Sequence, residues 1–324
     1  MLGGTGLIGG HAARALLHAG ATVRILTRDP SNVGGLLGGP IEVMQGDAQQ
    51  REPLRRAIEG CRYIVHSAAP YPRSAFGVAA QVATAVAATE LFLEEAGRMA
   101  PVDRIVYVSS ITTIGHPAGP RPATEDDPWD PSQDTSPYFQ MKGRMEERVL
   151  AAAHAGLPVT IVNPTLTIGA HDRALTTGRL LLPLARGQMP VYLRGIINAV
   201  AASDVAEAIV SALDHGRVGQ RYILGGENRE AREFLAIAAR IAGVPTPRIP
   251  LPLSLAEGIA WLTEIGHRFA RAGWPLFPVS GIRMMRHSQP VDSSLARREL
   301  SLRETPIESA LDEAYRWYRD AGLF

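Results

Sequence analysis

Two hydrophobic rhythms alternate along the first half of the chain. Short apolar runs at Thr22–Thr27, Ile41–Met44, Tyr63–His66, Arg104–Ser109 and Val159–Val162 read as strands. Between them, apolar positions at helical spacing predict helices over His11–Ala19, Glu52–Glu59, Ala79–Ala96 and Ser136–Ala153. Strands alternating with helices build a parallel sheet covered on both faces, so the expected fold class is α/β, doubly wound. Beyond Pro164 the alternation loosens. Tyr222–Leu224 predicts one more short strand, and Arg229–Ala242, Leu253–Ala270 and Pro306–Tyr318 predict helices separated by Pro- and Gly-rich segments. The simplest reading is a smaller, mostly helical C-terminal lobe.

Composition narrows the function. With 324 residues, 46% hydrophobic and 20% charged, the chain is globular and long enough for a large core. Its net charge of +1 gives no global field for nucleic acid or an anionic membrane, so a small-molecule substrate is the expectation. The single cysteine, Cys61, excludes an intrachain disulfide and suits a reducing compartment. No uncharged apolar run approaches the roughly 20 residues of a spanning helix, and no basic segment followed by an apolar one opens the chain. A cytoplasmic location is expected. The nine histidines show no metal-ligand spacing, and no metal is expected.

Of the 33 basic residues, 32 are arginine; the one lysine is Lys142. A lysine retained where arginine serves everywhere else is a candidate for work that a tunable ammonium alone can do. It stands four residues after Tyr138, in Tyr138-Phe-Gln-Met-Lys142. That spacing places both side chains on one helix face, where the ammonium lowers the phenol's pKa and makes it a usable proton donor and acceptor. Ser109-Ser110 closes the preceding strand at its carboxyl end, where doubly wound sheets bind ligands. Ser109, Ser110, Thr112 and Thr113 all compete there as donors to a substrate carbonyl.

Gly3, Gly6 and Gly9 form a G-x-x-G-x-x-G series at a strand-to-helix turn, where backbone amides can approach a pyrophosphate. After the second strand, Arg28 would pair with the 2′-phosphate of NADP, whereas Asp29 beside it would accept the ribose hydroxyls of NAD. NADP(H) is the preferred expectation, with NAD(H) the alternative. Asp47 either receives the adenine amino group or caps the next helix. Arg268, Arg271, Arg283 and Arg286 could gather into a basic patch or stay on solvated faces. Trp261 and Leu262 are expected to pack in the core or substrate lobe rather than to meet a membrane.

In order along the chain stand Gly3-Gly-Thr-Gly-Leu-Ile-Gly9, Gly46-Asp47, His66-Ser-Ala-Ala69, Val108-Ser-Ser-Ile-Thr-Thr-Ile-Gly115, Tyr138-x-x-x-Lys142 and Val162-Asn-Pro-Thr165. This series resembles an extended short-chain dehydrogenase/reductase of the NAD-dependent epimerase/dehydratase family. Asn163-Pro-Thr-Leu-Thr-Ile-Gly169, Gly187-Gln-Met-Pro190 and Arg221-Tyr-Ile-Leu-Gly-Gly-Glu-Asn228 look most like its dihydroflavonol-reductase-like branch and the hopanoid-associated sugar epimerases. The resemblance implies Tyr138 as acid/base, Lys142 as its electrostatic partner and ribose ligand, and Ser110 as carbonyl donor, five residues before Gly115. It implies a cofactor groove of Gly3, Gly6, Leu7, Ile8, Gly9, Arg28, Asp47, Ala68, Tyr138, Lys142 and Pro164. It also implies a homodimer through Ala79–Ala96 and Ser136–Ala153, a dinucleotide-binding Rossmann domain of residues 1–164 with 196–224 returning to it, and a substrate lobe of 165–195 and 225–324.

Three departures temper the likeness. The family's central first strand begins about five residues earlier, so that strand is expected to be truncated and its neighbours' edges exposed. Ala85 stands where the family has an asparagine. Asn198–Asp204 lacks the Arg-Asp-aromatic segment that holds a nucleotide-sugar diphosphate, which disfavours sugar nucleotides. The expected activity is hydride transfer between a nicotinamide and a carbonyl or secondary alcohol of a small, lipophilic substrate. The alternatives are a sugar epimerase or dehydratase and a dinucleotide sensor without turnover.

Overall fold

The computed structural model describes residues 1–36, 39–69, 76–99, 102–270 and 279–324. In chain order, α1 (Leu7–His18), β1 (Val23–Thr27), β2 (Ile41–Gln45), α2 (Arg51–Ile58), β3 (Tyr63–His66), α3 (Val78–Arg98), β4 (Arg104–Val108), α4 (Pro137–His154) and β5 (Val159–Pro164) alternate as the patterning predicts. The strands run parallel, β1 with β2 and β3-β4-β5 in sequence, with Ile105 opposite Val159. β4 is buried from Ile105 to Val108 and β5 throughout, as expected of strands covered on both faces. One face packs Phe92 of α3 and Met141, Met145 and Val149 of α4 against Ile105, Tyr107 and Ile161. Ala12 of α1 lies on the other face, with Val106, Val108 and Val162.

Met1 and Leu2 lie between β1 and β3. Leu2 bridges in parallel to both Leu26 and His66, its amide donating to the Val65 carbonyl at 2.9 Å. Leu26 N donates to Met1 O at 3.2 Å, so the inner edges of β1 and β3 are both met near their carboxyl ends.

The region after Pro164 holds more strand than its patterning predicts. It contains β6 (Leu166–Ile168), α5 (Gly178–Ala185), β7 (Val191–Leu193), β8 (Ile196–Ala201), α6 (Ala202–His215), β9 (Arg221–Leu224), β10 (Glu227–Glu230), α7 (Ala231–Ala242), β11 (Ile249–Leu251), α8 (Leu253–Ala270), α9 (Val279–Met284), α10 (Ser294–Leu300) and α11 (Ile307–Asp320). β9 joins the main sheet beside β5, and α6 adds Val205 and Ile209 to the face where Ala12 lies. β10-β8-β6 and β11-β7 form two small sheets of their own. Strands of three or four residues carry too little alternation to show in a sequence, and Arg229 and Glu230, expected at the start of a helix, lie in β10 and pair with β8 instead.

Two further expectations change. Leu262 is 72% exposed rather than packed, whereas Trp261 meets Phe76 edge-on at 5.5 Å. Of the four arginines that could gather into a basic patch or stay on solvated faces, the two whose side chains are described each stand against a carboxylate. Arg286 pairs with Glu257 at 2.6 Å, and Arg283 lies 3.8 Å from Asp134 and over the Trp261 ring. Arg271 and the side chain of Arg268 lie outside the described residues.

Candidate active site

The carboxyl ends of β3, β4 and β5, the amino terminus of α1 and the first turns of α4 converge on one rim of the sheet. Pro137 at the first position of α4 suits a helix start, since its missing amide would have had no helical partner. Tyr138 and Lys142 follow on one face. The apolar residues Met141, Met145 and Val149 pull that helix onto the sheet and carry Lys142 into a buried position.

The Tyr138 hydroxyl lies 3.4 Å from Ser110 Oγ, at the long end of hydrogen bonding. Ser110 Oγ accepts from Thr112 N at 3.3 Å and from Thr112 Oγ1 at 3.0 Å, so its proton is free to point toward a ligand oxygen. Lys142 Nζ donates to Ser109 O at 3.2 Å. Burial lowers the Lys142 pKa to about 8, partly offset by the charge of Glu146. Of the four competing hydroxyls, Ser110 alone is placed against the phenol. Ser109 Oγ is buried without a partner, Thr112 supports Ser110, and Thr113 Oγ1 meets Ser110 O and Glu146 Oε2. Ala85 is fully buried beside the α4 methionines and brings no side-chain polar group to the site.

The glycine turn fits a dinucleotide. A Cβ on Gly9 would stand 2.1 Å from Gly3 O and 2.5 Å from Ser67 Oγ, so only glycine allows α1 to sit this close to the strand ends. No side chain caps α1 and no acidic residue occupies its first turn, which leaves the amides near Leu7 and Ile8 and the positive helix end available to an anion. Ala68 follows β3 beside Gly3, and buried Pro164 ends β5 opposite Leu224. Arg28 is exposed. Asp29 is engaged: its carboxylate accepts from Ser31 N at 3.0 Å, Ser31 Oγ at 2.6 Å and Asn32 Nδ2 at 2.9 Å. These bonds hold its pKa below the usual carboxylate range. Asp47 Oδ1 accepts from Gln49 N at 3.0 Å, closing a local turn ahead of α2; the N-cap of that helix is Gln50, and no side chain caps it.

Two arrangements escape the sequence reading. Asp134, four residues before Tyr138, meets His287 at 3.2 Å, and the His287 ring stacks on Phe139 at 4.4 Å. Beneath Lys142, Glu146 receives bonds from Thr113, Asn163 and Arg221. One signal for it is present: Glu146 follows Met145 within the apolar stripe of α4, where a carboxylate needs buried partners. Gly143 allows another close approach, since a Cβ there would fall 2.0 Å from the Trp129 ring. Among the described residues no group of three or more His, Cys, Asp or Glu converges to hold a metal, and no helix is long and apolar enough to cross a membrane.

Residues 1–225 match the NAD dependent epimerase/dehydratase family. The chain is 33% identical to sterol demethylase protein B of Methylococcus capsulatus, covering 99% of this chain and 98% of that protein. It is 27% identical to a 4-hydroxy-2-methyl-3-oxo-4-farnesyl-3,4-dihydroquinoline-1-oxide ketoreductase of Stigmatella aurantiaca, over 99% of this chain and 93% of the other. A crystal structure of a nucleoside-diphosphate-sugar epimerase from Pseudomonas aeruginosa superposes with a TM-score of 0.83 at 30% identity, covering 100% of this chain and 97% of that one.

Proposed function

We propose that this chain, which belongs to the NAD-dependent epimerase/dehydratase family and is an NAD(P)-dependent enzyme of the extended short-chain dehydrogenase/reductase type, interconverts a lipophilic ketone or aldehyde with its alcohol. The observation that carries the reading is the convergence of Tyr138, Ser110 and Lys142 beside the glycine turn. A bound nicotinamide supplies or accepts the hydride. In the reducing direction Ser110 donates a hydrogen bond to the carbonyl oxygen, Tyr138 delivers its phenolic proton to that oxygen, and the Lys142 ammonium stabilises the phenolate left behind. Oxidation reverses each step.

The exposed Arg28, beside an Asp29 already occupied by Ser31 and Asn32, supports NADP(H) as the preferred cofactor with NAD(H) as the alternative. Gly3, Gly6, Leu7, Ile8, Gly9, Asp47, Ala68 and Pro164 would line its groove beside Tyr138 and Lys142. The sterol and farnesyl-quinoline names of two relatives support a lipophilic substrate. We assign residues 1–164 and 196–224 to the dinucleotide-binding part, and 165–195 and 225–324 to the substrate lobe. Exposed small residues along α3, including Ala79, Ala83 and Ala87, suit a cytoplasmic homodimer through α3 and α4.

A second reading, epimerisation of a sugar nucleotide, is favoured by the Pseudomonas epimerase structure. Following NADPH absorbance with a panel of lipophilic ketones separates the two. The reductase consumes one NADPH per alcohol formed; an epimerase interconverts sugars with no net consumption, and that outcome would reverse the assignment.

A further inference from the structure

We propose that Glu146 is a positioning residue, a buried carboxylate that both seats the Ser110 turn and holds the charge on Lys142. The inference rests on the oxidoreductase reading for its meaning in catalysis, but its geometry stands without it. Glu146 is 2% exposed and lies one helical turn beyond Lys142 on α4. Its Oε2 accepts from Thr113 Oγ1 at 2.7 Å and from Asn163 Nδ2 at 2.7 Å; its Oε1 accepts from Arg221 Nη1 at 3.4 Å. Three separate elements, the turn at Ile111–Thr113, β5 and β9, are thereby tied to the helix that carries Tyr138 and Lys142.

The same donors reach the catalytic turn. Ser110 O accepts from Thr113 N at 3.1 Å, from Thr113 Oγ1 at 2.8 Å and from Asn163 Nδ2 at 3.2 Å. The Thr113 hydroxyl has one proton and sits between Ser110 O and Glu146 Oε2, so the carboxylate and the Ser110 carbonyl share its donor. Arg221 closes the arrangement from β9, donating also to the carbonyls of Thr113 at 3.2 Å, Asp127 at 3.2 Å and Glu125. A carboxylate removed from water in this way is retained only where such donors meet it.

Its electrostatic effect falls on Lys142. Burial works against the ammonium, and the Glu146 charge is the influence that works for it. Among the described residues, the other charged and titratable groups packed near the pair are engaged or neutral. Tyr138 shares the helix. On β3, burial first, and the Lys142 charge with it, lowers the His66 pKa to about 3, so that imidazole is neutral. Arg221 is spent on Glu146, and Glu125 Oε1 accepts from Ile223 N at 2.8 Å. Glu90 of α3 pairs with Arg148 of α4.

Because Lys142 is the only lysine in the chain, protein labelled with ¹³C-lysine gives a single ε-methylene NMR signal whose pH titration reads this ammonium directly, without cofactor or substrate. The parent midpoint is expected near 8. In Glu146→Gln it should fall by about one pH unit, and Glu146→Asp should lie between the two. The alkaline limb of reductase activity should move to lower pH by the same amount, whereas loss of a merely structural contact would lower activity equally at every pH. An unchanged midpoint in the Gln variant overturns the proposal. Should that variant not fold, Glu146→Met, likewise uncharged and of similar volume, carries the test, and an unchanged or raised midpoint there overturns it. If the midpoint falls as expected while no carbonyl is ever reduced, the oxidoreductase reading fails and the assignment of Glu146 to the Lys142 charge stands.

Discussion

The two ends of the proposed cofactor groove are built on opposite plans. At the phenol end, Ser110, Lys142, Glu146 and Asn163 are all buried, and beyond the local bonds of Thr112 and Thr113 to Ser110 their partners come from elements far apart in the chain. At the other end, Arg28 and Asp29 are exposed, and the Asp29 carboxylate is satisfied by residues two and three positions on. The first plan fixes geometry and charge through packing, since every polar group there depends on all the others being in place. The second leaves the side chains in a solvent-screened turn, where one can be exchanged without disturbing a network. On the proposed reading, chemistry belongs to the buried end and cofactor choice to the open one.

That contrast can be broken by substitution, and the effects should fall in order of burial. Tyr138→Phe removes the proton donor and should lower kcat by about 10³-fold while leaving NADPH quenching of tryptophan fluorescence nearly unchanged; a fully active Phe variant would sink the mechanism. Ser110→Ala should cost about 10²-fold in kcat, with Tm and cofactor affinity close to those of the parent. A drop in cofactor affinity alone would show that the hydroxyl binds cofactor and does not orient a carbonyl. The pH profile comes next. Lys142 is charged below about 8 and neutral above it, so the step that needs its ammonium is fully supported at neutral pH and fades as pH rises past that value. A rate still rising between pH 9 and 10 would contradict the buried setting of the amine. The smallest effect belongs to the open end: Arg28→Ala should raise the Kd for NADPH by about tenfold and leave that for NADH alone, in separate titrations. Equal losses for both cofactors would place Arg28 away from the 2′-phosphate.

Legibility in the sequence followed the same division. Local spacing carried the individual elements of the βαβ alternation, the glycine turn at Gly3–Gly9 and the placement of Tyr138 and Lys142 on one helix, because each is set by residues close together in the chain. The small sheet of β6, β8 and β10 was not legible, since three- and four-residue strands such as Leu166–Ile168 show no period and derive their pairing from neighbours more than 25 positions away. The start of α1 at Leu7 rather than His11 was hidden by glycines that suit a turn equally well. Arg221 meeting Glu146 across 75 residues was beyond any local pattern. Only the odd placement of a glutamate in an apolar stripe hinted at it. The exposure of Leu262 was invisible for the converse reason: periodicity marks an apolar face but does not say whether anything covers it.

The contact of Gly143 with Trp129 has an optical consequence. The residue after the lysine rests against an indole, and Arg144 lies over the same ring at 5.3 Å. The emission colour of that indole depends on how closely helix and cation press upon it, which makes Trp129 a built-in gauge for the seating of the helix that bears the phenol and the amine. A chain in which the other three tryptophans are replaced by phenylalanine would display that seating as a single spectral band, readable in real time as ligands arrive and leave.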